Sequence, residues 1–584
     1  MRNWTESRPE RLQAEVEAFE DAEGLDFAVD DAELKATGRL VLRGTLTRAS
    51  GAPVKLEVRY PDSFPYLRPE VFAVDLRLER HQNPFRRNLC LLDRSSRQWS
   101  PSLKGAWLVS ERVPMLLDLL DGDPAAMRDQ ESAQGEPESS YFVPFDGSSV
   151  FIPEPMLSLP ENERAGVMNL ALGGHEDAAQ VLRGCLKRVA VRTRRGKPQD
   201  LAVATGALAS RFSKTVFEGR WVRLDRFPDG NGKGADLYEA ARAVSGYEKP
   251  PAQNVPGGTV RILGVVCKEE VCQGEWEDSW LFAVDIDVTN DGNHVQELYV
   301  VRGERLSPQD LGARIPTIAG LAGKTVALAG LGALGGPIAL ELGRAQVGEL
   351  RILDSDVVEA GTIVRWPFGL HSVGHRKTNL LHNFLVNDYP FTKVVSFDHH
   401  LGIVPAPGDP PAPRSEAELL TDFLDGADLL IDATAEIGVE QLLAALADEA
   451  GIPQVYVTAT EGGWGGVVAR VLPGVTGCWY CLQMRLDEQS ITPPPAAPTG
   501  TVQPRGCAAP TWTGTSFDAL PIVAQAVRTA CFTLLSGRAP DDPRDVFVCA
   551  QQARTPTELD SPFWTSYALE PHDACPVCAA AKAP

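Results

Sequence analysis

Positive charge and long apolar runs are what this sequence is short of. Its 584 residues carry 56 lysines and arginines against 78 acidic residues, a formal net charge of −22. A surface that grips a phosphate backbone needs local cation, so nucleic-acid binding is excluded as the main activity. The one basic run, KRVAVRTRRGK at 187–197, reads as a solvated face. No apolar run approaches the roughly 20 residues of a membrane helix, and the N-terminal MRNWTESRPERLQAEVEAFEDAEG is charged throughout, without a signal-peptide apolar region. These absences predict a soluble, cytoplasmic protein. Disulfide chemistry is lacking too: the eleven cysteines are odd in number and unevenly spread. Four of them form Cys478-x-x-Cys481 and Cys575-x-x-Cys578, a spacing that suits tetrahedral thiolate ligation of Zn2+ and not a secreted framework.

The length exceeds what one core serves and predicts three or four domains. Residues 8–22 space Leu12, Val16 and Phe19 as an amphipathic helix. GRLVLRGTLTR, VKLEVRYP and EVFAVDL then read as an antiparallel meander, and WLVSERVPMLLDLL at 107–120 as a helix over it. The pattern predicts a compact α+β domain over 1–122. A linker rich in Pro, Gly, Ser and acid follows at 123–149. Residues 150–308 read as an α+β middle domain without a catalytic pattern: helical text from Pro160 to Arg188, then strand text in GTVRILGVVCKEE, SWLFAVDIDVTN and VQELYVVRG.

From 309 to 584 the character is α/β. KTVALAGLGALGGPIALELGRAQVGELRILDSD reads as strand, glycine turn, helix and acid-ended strand, and DLLIDAT, VEQLLAALADEAG and IPQVYVTAT extend it to a doubly wound sheet. Gly330-x-Gly332-x-x-Gly335 opens a helix, so its backbone amides can cradle phosphate. Asp354 is placed to accept from a ribose hydroxyl. This loop alone would equally fit a nicotinamide oxidoreductase. Arg365 and Lys377, two cations able to neutralise a leaving pyrophosphate, and Asp432, a hard oxygen ligand for Mg2+ at a strand end, favour ATP and nucleotidyl transfer.

Those residues resemble the ThiF/MoeB adenylating enzymes, which include the ubiquitin-activating enzymes. LAGKTVALAGLGALGG, DSDVVEAGTIVRW, VGHRK, LLIDAT and the two cysteine pairs carry the resemblance over roughly 315–584. It implies a Rossmann-like adenylation domain in which Asp354, Arg365, Lys377 and Asp432 bind ATP-magnesium and activate a C-terminal glycine carboxylate as an acyl-adenylate. Where the family carries Asn ahead of the arginine, this chain has Thr362.

Two further cysteines stand apart. Cys507, beside Arg505 in the Pro-rich stretch of about 485–515 before the text of a helix, has the setting of an activated thiol, whereas Cys531 lies in apolar helix text and reads as packing. Related activating enzymes carry a GC(A/D)xPT(F/W)TG-like segment here, whose cysteine takes the acyl group as a thioester. In HQNPFRRNLCLLDRSSRQWSP at 81–101, preceded by Tyr60-Pro61, Phe64-Pro65 and Pro69, the text is similar to the ubiquitin-conjugating fold, with its YPxxxP, His-Pro-Asn, catalytic cysteine and Trp-x-Pro. That likeness makes Cys90 the acyl-carrying thiol, Asn83 the amide donor for the developing oxyanion and His81 a loop-fixing side chain. Gln82 replaces the family's proline, which on paper loosens the turn.

The expectation is therefore a fused activating and conjugating enzyme, passing an acyl group from adenylate to Cys507 to Cys90 to a target amine, with tethering raising the effective concentration of one thiol at the other. The arrangement resembles fusion proteins of bacterial antiviral CBASS operons, which implies as cargo a cGAS-like nucleotidyltransferase or, in neighbouring systems, a ubiquitin-like protein. The resemblance also implies a homodimer in which Arg302, Arg305 or Arg314 reaches a neighbour's ATP site. Other readings are a sulfur-carrier adenylyltransferase, in which Cys90 is dispensable, a dinucleotide oxidoreductase, and a scaffold with inert thiols. Neither a membrane nor a nucleic acid is an expected partner.

Overall fold

The structure is a computed structural model. It describes the chain except residues 1–2, 48–50, 79, 93–97, 122–134, 136, 143–146, 175–181, 193–195, 213–214, 229–231, 273, 291–292, 405–413, 505–509, 539–541, 552–560 and 579–584. Two compact units divide it, Met1–Leu306 and Ser307–Pro584.

The first unit opens with a helical turn, Trp4–Ser7, and then the helix Pro9–Glu20, which takes proline at its first position, where no N–H is needed. A four-stranded antiparallel meander follows: β1 (Asp26–Val29), β2 (Val41–Thr47), β3 (Pro53–Arg59) and β4 (Glu70–Phe72). Alternation sets its register, with Val54, Leu56 and Val58 inward and Pro53 and Lys55 outward. The helical text at 107–120 runs as Gly105–Trp107, a π-turn at Leu108–Arg112 and Val113–Asp121. Leu108, Val109, Val113, Leu116 and Leu117 join the sheet in one core. Buried Glu15 ties the layers: it accepts from the Tyr60 hydroxyl and the Gly105 N–H, both at 2.8 Å, and pairs with Arg11 at 3.0 Å.

The middle region departs from the sequence reading. It consists of β5 (Ser149–Pro153), β6 (Ala165–Gly174), β7 (Leu182–Arg192), β8 (Pro198–Val203), β9 (Val216–Leu224), β10 (Gln253–Val255), β11 (Gly258–Cys272), β12 (Glu275–Asn290) and β13 (Asn293–Leu306). Pairing runs β11-β12-β13-β5-β7-β6-β9, and β9 pairs back on β11, so the ladder closes on itself as a barrel. The α+β expectation is corrected to a β-barrel with short helices at Gly206–Arg211 and Gly234–Arg242. The helical reading of 160–188 fails on its glycines, each costing about 1 kcal/mol in a helix. A Cβ on Gly166 would collide with the Ala190 carbonyl across the ladder, so closeness between strands is what that glycine supplies. Met168, Leu170, Leu186, Val189, Trp221, Trp280 and Phe282 share a core. The expected linker also ends in packed structure: Glu138–Tyr141 forms a 3-10 turn, with Ser139 and Phe142 buried.

The second unit holds β14 (Thr325–Ala329), β15 (Glu349–Asp354), β16 (Lys393–Asp398), β17 (Leu429–Asp432), β18 (Gln454–Ala459), β19 (Gly465–Val471), the ribbon strands β20 (Thr501–Val502) and β21 (Thr511–Trp512), β22 (Val546–Ala550) and β23 (Phe563–Tyr567). Its main sheet runs β16-β15-β14-β17-β18 in parallel, then β19, β22 and β23 antiparallel. This is the doubly wound order, with its switch point between β14 and β17. Against the expected lack of any run long and apolar enough to span a membrane, helix Ser516–Ser536 is long and apolar enough by length and composition. Its Ala519, Ile522, Val523, Ala526, Ala530, Cys531 and Leu534 are buried against β18, β19 and the helix Gly335–Arg344, which makes it a core helix.

Candidate functional site

Three neighbouring strands bring the sequence-read residues to one edge. Register places Leu353 and Asp432 on either side of Ala329, so Asp354, the glycine loop and Asp432 leave the sheet side by side. Gly330 has φ +81°, and a Cβ there would lie 2.6 Å from the Ala433 carbonyl. A Cβ on Gly335 would collide with the Gly330 carbonyl, which holds the turn against the start of helix Gly335–Arg344. Around Gly332 a Cβ would meet nothing within 4 Å among the described residues, so this is the open face of the loop.

The two carboxylates are held differently. Asp354 accepts from the Leu331 N–H at 2.6 Å and the Asp356 N–H at 2.7 Å, one bond to each oxygen. Lys377, buried at the first position of helix Lys377–Asp388, pairs with Asp356 at 2.7 Å and stands 3.9 Å from Asp354. Asp432 is fully buried; one oxygen accepts from the Thr434 N–H at 3.0 Å and hydroxyl at 2.8 Å, and the other has no partner among the described residues. Burial pushes its carboxyl up to about 6. Glu440, on helix Ile437–Ala450, is pushed up to about 7 by burial and then by the charge of Asp432, and accepts from the Tyr456 hydroxyl at 3.4 Å.

Arg365 faces a partner that sequence reasoning did not see. Its guanidinium lies 4.2 Å from the centre of the Trp512 ring, donates to the Trp512 carbonyl and reaches the Thr511 hydroxyl at 3.2 Å. Burial lowers its pKa. Its neighbour Trp366 donates to the Leu331 carbonyl at 2.8 Å, which fixes this segment to the glycine loop. β20 and β21 pair through Thr501–Trp512 and Val502–Thr511, forming the stem of the stretch that carries Cys507. Cys507 itself, with Arg505, lies outside the described residues. Thr362 donates its hydroxyl to the Glu359 carbonyl at 2.8 Å, and is used locally as a turn cap. Cys531 is buried and raised to about 11, as packing requires.

In the first unit Cys90 is exposed, and its N–H donates to the His81 carbonyl at 2.7 Å, with His81 at φ 60°. His81 thus fixes the loop through its backbone. The Asn83 side-chain oxygen accepts from the Phe85 and Arg86 N–H groups at 2.9 and 2.8 Å, which leaves the amide nitrogen as the end able to donate. The loosening assigned to Gln82 is reversed. Its buried amide donates to the carbonyls of Ala73, Leu76 and Arg87 and accepts from the Leu78 N–H at 2.9 Å, so glutamine staples the turn that proline would stiffen. Glutamine offers both donors and an acceptor where proline offers only a fixed φ, but the backbone groups that use them are placed only by the folded turn. Trp99 donates to the Pro65 carbonyl at 3.0 Å. Of the arginines expected to act in trans, Arg302 pairs with Glu304 and Arg305 with Glu277 at 2.6 Å, while Arg314 is exposed.

Cys478, Cys481, Cys575 and Cys578 converge, their sulfurs all within 4.8 Å of one another and three pairs at 3.5, 3.6 and 3.8 Å. Zn–S bonds of about 2.3 Å at tetrahedral angles place sulfurs ~3.8 Å apart, so the set fits Zn2+. Four thiolates close the coordination shell, which makes such a site structural.

The ThiF family model matches residues 317–559. Over 601 aligned positions the chain is 30% identical to protein y4oA of Sinorhizobium fredii, covering 98% of this chain and 97% of that one. It is 31% identical over 145 residues to the ATP-dependent ubiquitin transferase-like protein Cap2 of Enterobacter hormaechei, covering 25% of this chain and 22% of that one. Among solved structures, Escherichia coli MccB with succinimide aligns over 46% of this chain and 72% of its own, at 15% identity and a TM-score of 0.33. ThiF family members are adenylyltransferases, and adenylation implies ATP and Mg2+. The residues fit both: the open Gly332 face suits phosphate, and the unpartnered oxygen of Asp432 suits a hard cation. Joined to y4oA along nearly its whole length, the chain belongs to one family with that protein, and residues 317–559, matched by the family model, are its ThiF/MoeB-type adenylation domain.

Proposed function

We propose that this chain activates the C-terminal carboxylate of a protein and relays it through two thiols to a target amine. The observation that carries the reading is the stapled loop of the first unit: an exposed Cys90 on a turn locked by Gln82, on the same chain as an adenylation domain. ATP, when bound with Mg2+, would supply the adenylyl group: the cargo carboxylate would bond to its α-phosphorus as pyrophosphate leaves. Gly330, Gly332 and Gly335 would cradle the phosphates, Asp354 would orient the ribose, Arg365 and Lys377 would neutralise departing pyrophosphate, and Asp432 would hold the cation. Cys507 then attacks the acyl carbonyl, releasing AMP. Cys90 displaces the Cys507 thiolate, with the Asn83 amide donating to the oxyanion. Finally an amine attacks the Cys90 thioester: a C–N bond forms, the C–S bond breaks, the thiolate leaves and the amine proton passes to solvent.

The cargo we favour is a cGAS-like nucleotidyltransferase or ubiquitin-like protein ending in glycine, within bacterial anti-phage defence of the CBASS kind, in the cytoplasm and as a homodimer. Likeness to Cap2, a ubiquitin transferase-like protein, supports this class. The test incubates the full chain with ATP-magnesium and the product of an adjacent reading frame, then reads adducts on non-reducing gels. Cys507→Ala should abolish both adducts and Cys90→Ala only the downstream one. Adducts on Cys90 that survive Cys507→Ala would overturn the order of relay, and a wild-type chain with pyrophosphate exchange but no thiol adduct would leave a plain adenylyltransferase.

A further inference from the structure

The barrel has no catalytic motif, yet it touches the Cys90 loop at both flanks of His81–Asn83. On one side Arg80, immediately before His81, pairs with Glu270 of β11 at 2.6 Å, and both side chains are largely buried. On the other, the Phe85 ring meets Phe142 edge-on at 4.7 Å, and Phe142 lies 5.7 Å from Phe227, both of these fully enclosed.

One short stretch of β11 holds both contacts. Glu269 accepts from the Ser139 N–H at 3.0 Å and from its hydroxyl, which anchors the turn that presents Phe142. Glu270 holds Arg80. A bulge between Glu270 and Cys272 ends the regular ladder there, a device that re-aims side chains at a strand end. Arg302 completes the brace by donating to the Ser140 carbonyl at 3.4 Å.

We infer that the barrel is a positioning domain for the Cys90 loop: Glu270 and Phe142, acting through Arg80 and Phe85, set the geometry with which an amine meets the Cys90 thioester. The inference rests on the relay reading for its chemistry and on the contacts alone for its mechanics. Displacements near 1 Å at a reacting centre cost up to about a hundredfold in rate, so a clamp on both sides of a ten-residue turn is large enough to matter. Glu270 and Phe142 are positioning residues, since each acts through another side chain.

The experiment uses the full chain as wild type, Glu270→Arg, Phe142→Ala and the double exchange Arg80→Glu with Glu270→Arg. Three rates are read: pyrophosphate exchange, discharge of charged Cys90 to free lysine, and alkylation of Cys90 by iodoacetamide followed by peptide mass spectrometry. Glu270→Arg should slow discharge about tenfold and change alkylation several-fold while leaving pyrophosphate exchange within about twofold, and the double exchange should return both Cys90 rates to within about twofold of wild type. Recovery by charge exchange separates positioning from general destabilisation, and covers the case in which Phe142→Ala fails to fold. Wild-type discharge and alkylation in Glu270→Arg, or no recovery in the double variant, overturn the inference. A wild-type chain that never charges Cys90 sinks the relay instead, and the alkylation series then still decides the clamp: equal rates across all variants refute it.

Discussion

Asp354 and Asp432 end adjacent parts of one sheet, separated by the glycine strand, and are held in opposite ways. Asp354 has a backbone N–H on each oxygen and a lysine 3.9 Å away, so its charge is satisfied by the chain itself. Asp432 is fully buried, accepts on one oxygen only, and is pushed up to about 6. The first is a structural pivot that can also orient a ligand. The second is costly as a bare buried charge and is eased by a cation beside it. A carboxylate left with an orphan oxygen in a dry site is an expense the fold meets only if a ligand repays it.

Replacing Asp432 by Asn is the largest blow to this contrast. Pyrophosphate exchange should fall at least a hundredfold, since the hard ligand is gone. Stability should move the other way. The folded carboxyl titrates near 6, above its ordinary 3.8, so its favourable contribution is complete below pH 3.8 and is lost as pH rises through 6. The raised value corresponds to about 3 kcal/mol of penalty at pH 8. In metal-free buffer Asp432→Asn should therefore melt above wild type at pH 8, with the gap closing below pH 5. A variant less stable than wild type at pH 8 would show that the orphan oxygen is satisfied in solution.

Asp354→Asn should give the opposite sign. One end of the new amide becomes an NH2 that faces a backbone N–H, leaving a donor pair in contact, at a cost of about 2 kcal/mol. Thermal unfolding at pH 7 reads it directly, and nucleotide affinity should fall about tenfold as the loop loses its anchor. Equal stability changes in the two variants would erase the distinction between pivot and ligand.

The same contrast explains what the sequence disclosed. Strand ends, a glycine turn and paired cysteines are local signals, so Gly330, Asp354, Asp432 and the four thiols could be read before the fold was seen. The partners of those residues are not local. Trp512 meets Arg365 across 147 positions, and Glu270 meets Arg80 across 190. The barrel was misread between Pro160 and Arg188 because small and apolar residues there fit a helix face on paper; the glycines weaken a helix locally, but what Gly166 supplies, room for a neighbouring strand, shows only against the finished ladder. Gln82 was misjudged for a related reason: its four bonds all run to backbone groups whose positions depend on the finished turn.

The smallest predicted effect refines the environment of Asp432. Glu440 is raised to about 7 by burial and then by the Asp432 charge, beside an Asp432 raised to about 6, so the two acids titrate as an interacting pair. Because its folded value lies above the ordinary 4.5, the stability Glu440 contributes is complete below pH 4.5 and disappears as pH rises through 7. Glu440→Gln should leave the acid limb of pyrophosphate exchange in place, since Asp432, the residue proposed to hold the cation, is retained. It should flatten the metal-free decline in melting temperature between pH 6 and 8. Magnesium offers wild type part of this relief, because a cation on Asp432 removes the electrostatic cause of the rise and leaves burial, the larger cause, in place. Wild type with magnesium should therefore show a shallower slope than without it, and a magnesium-insensitive slope would mean that the cation does not sit on Asp432.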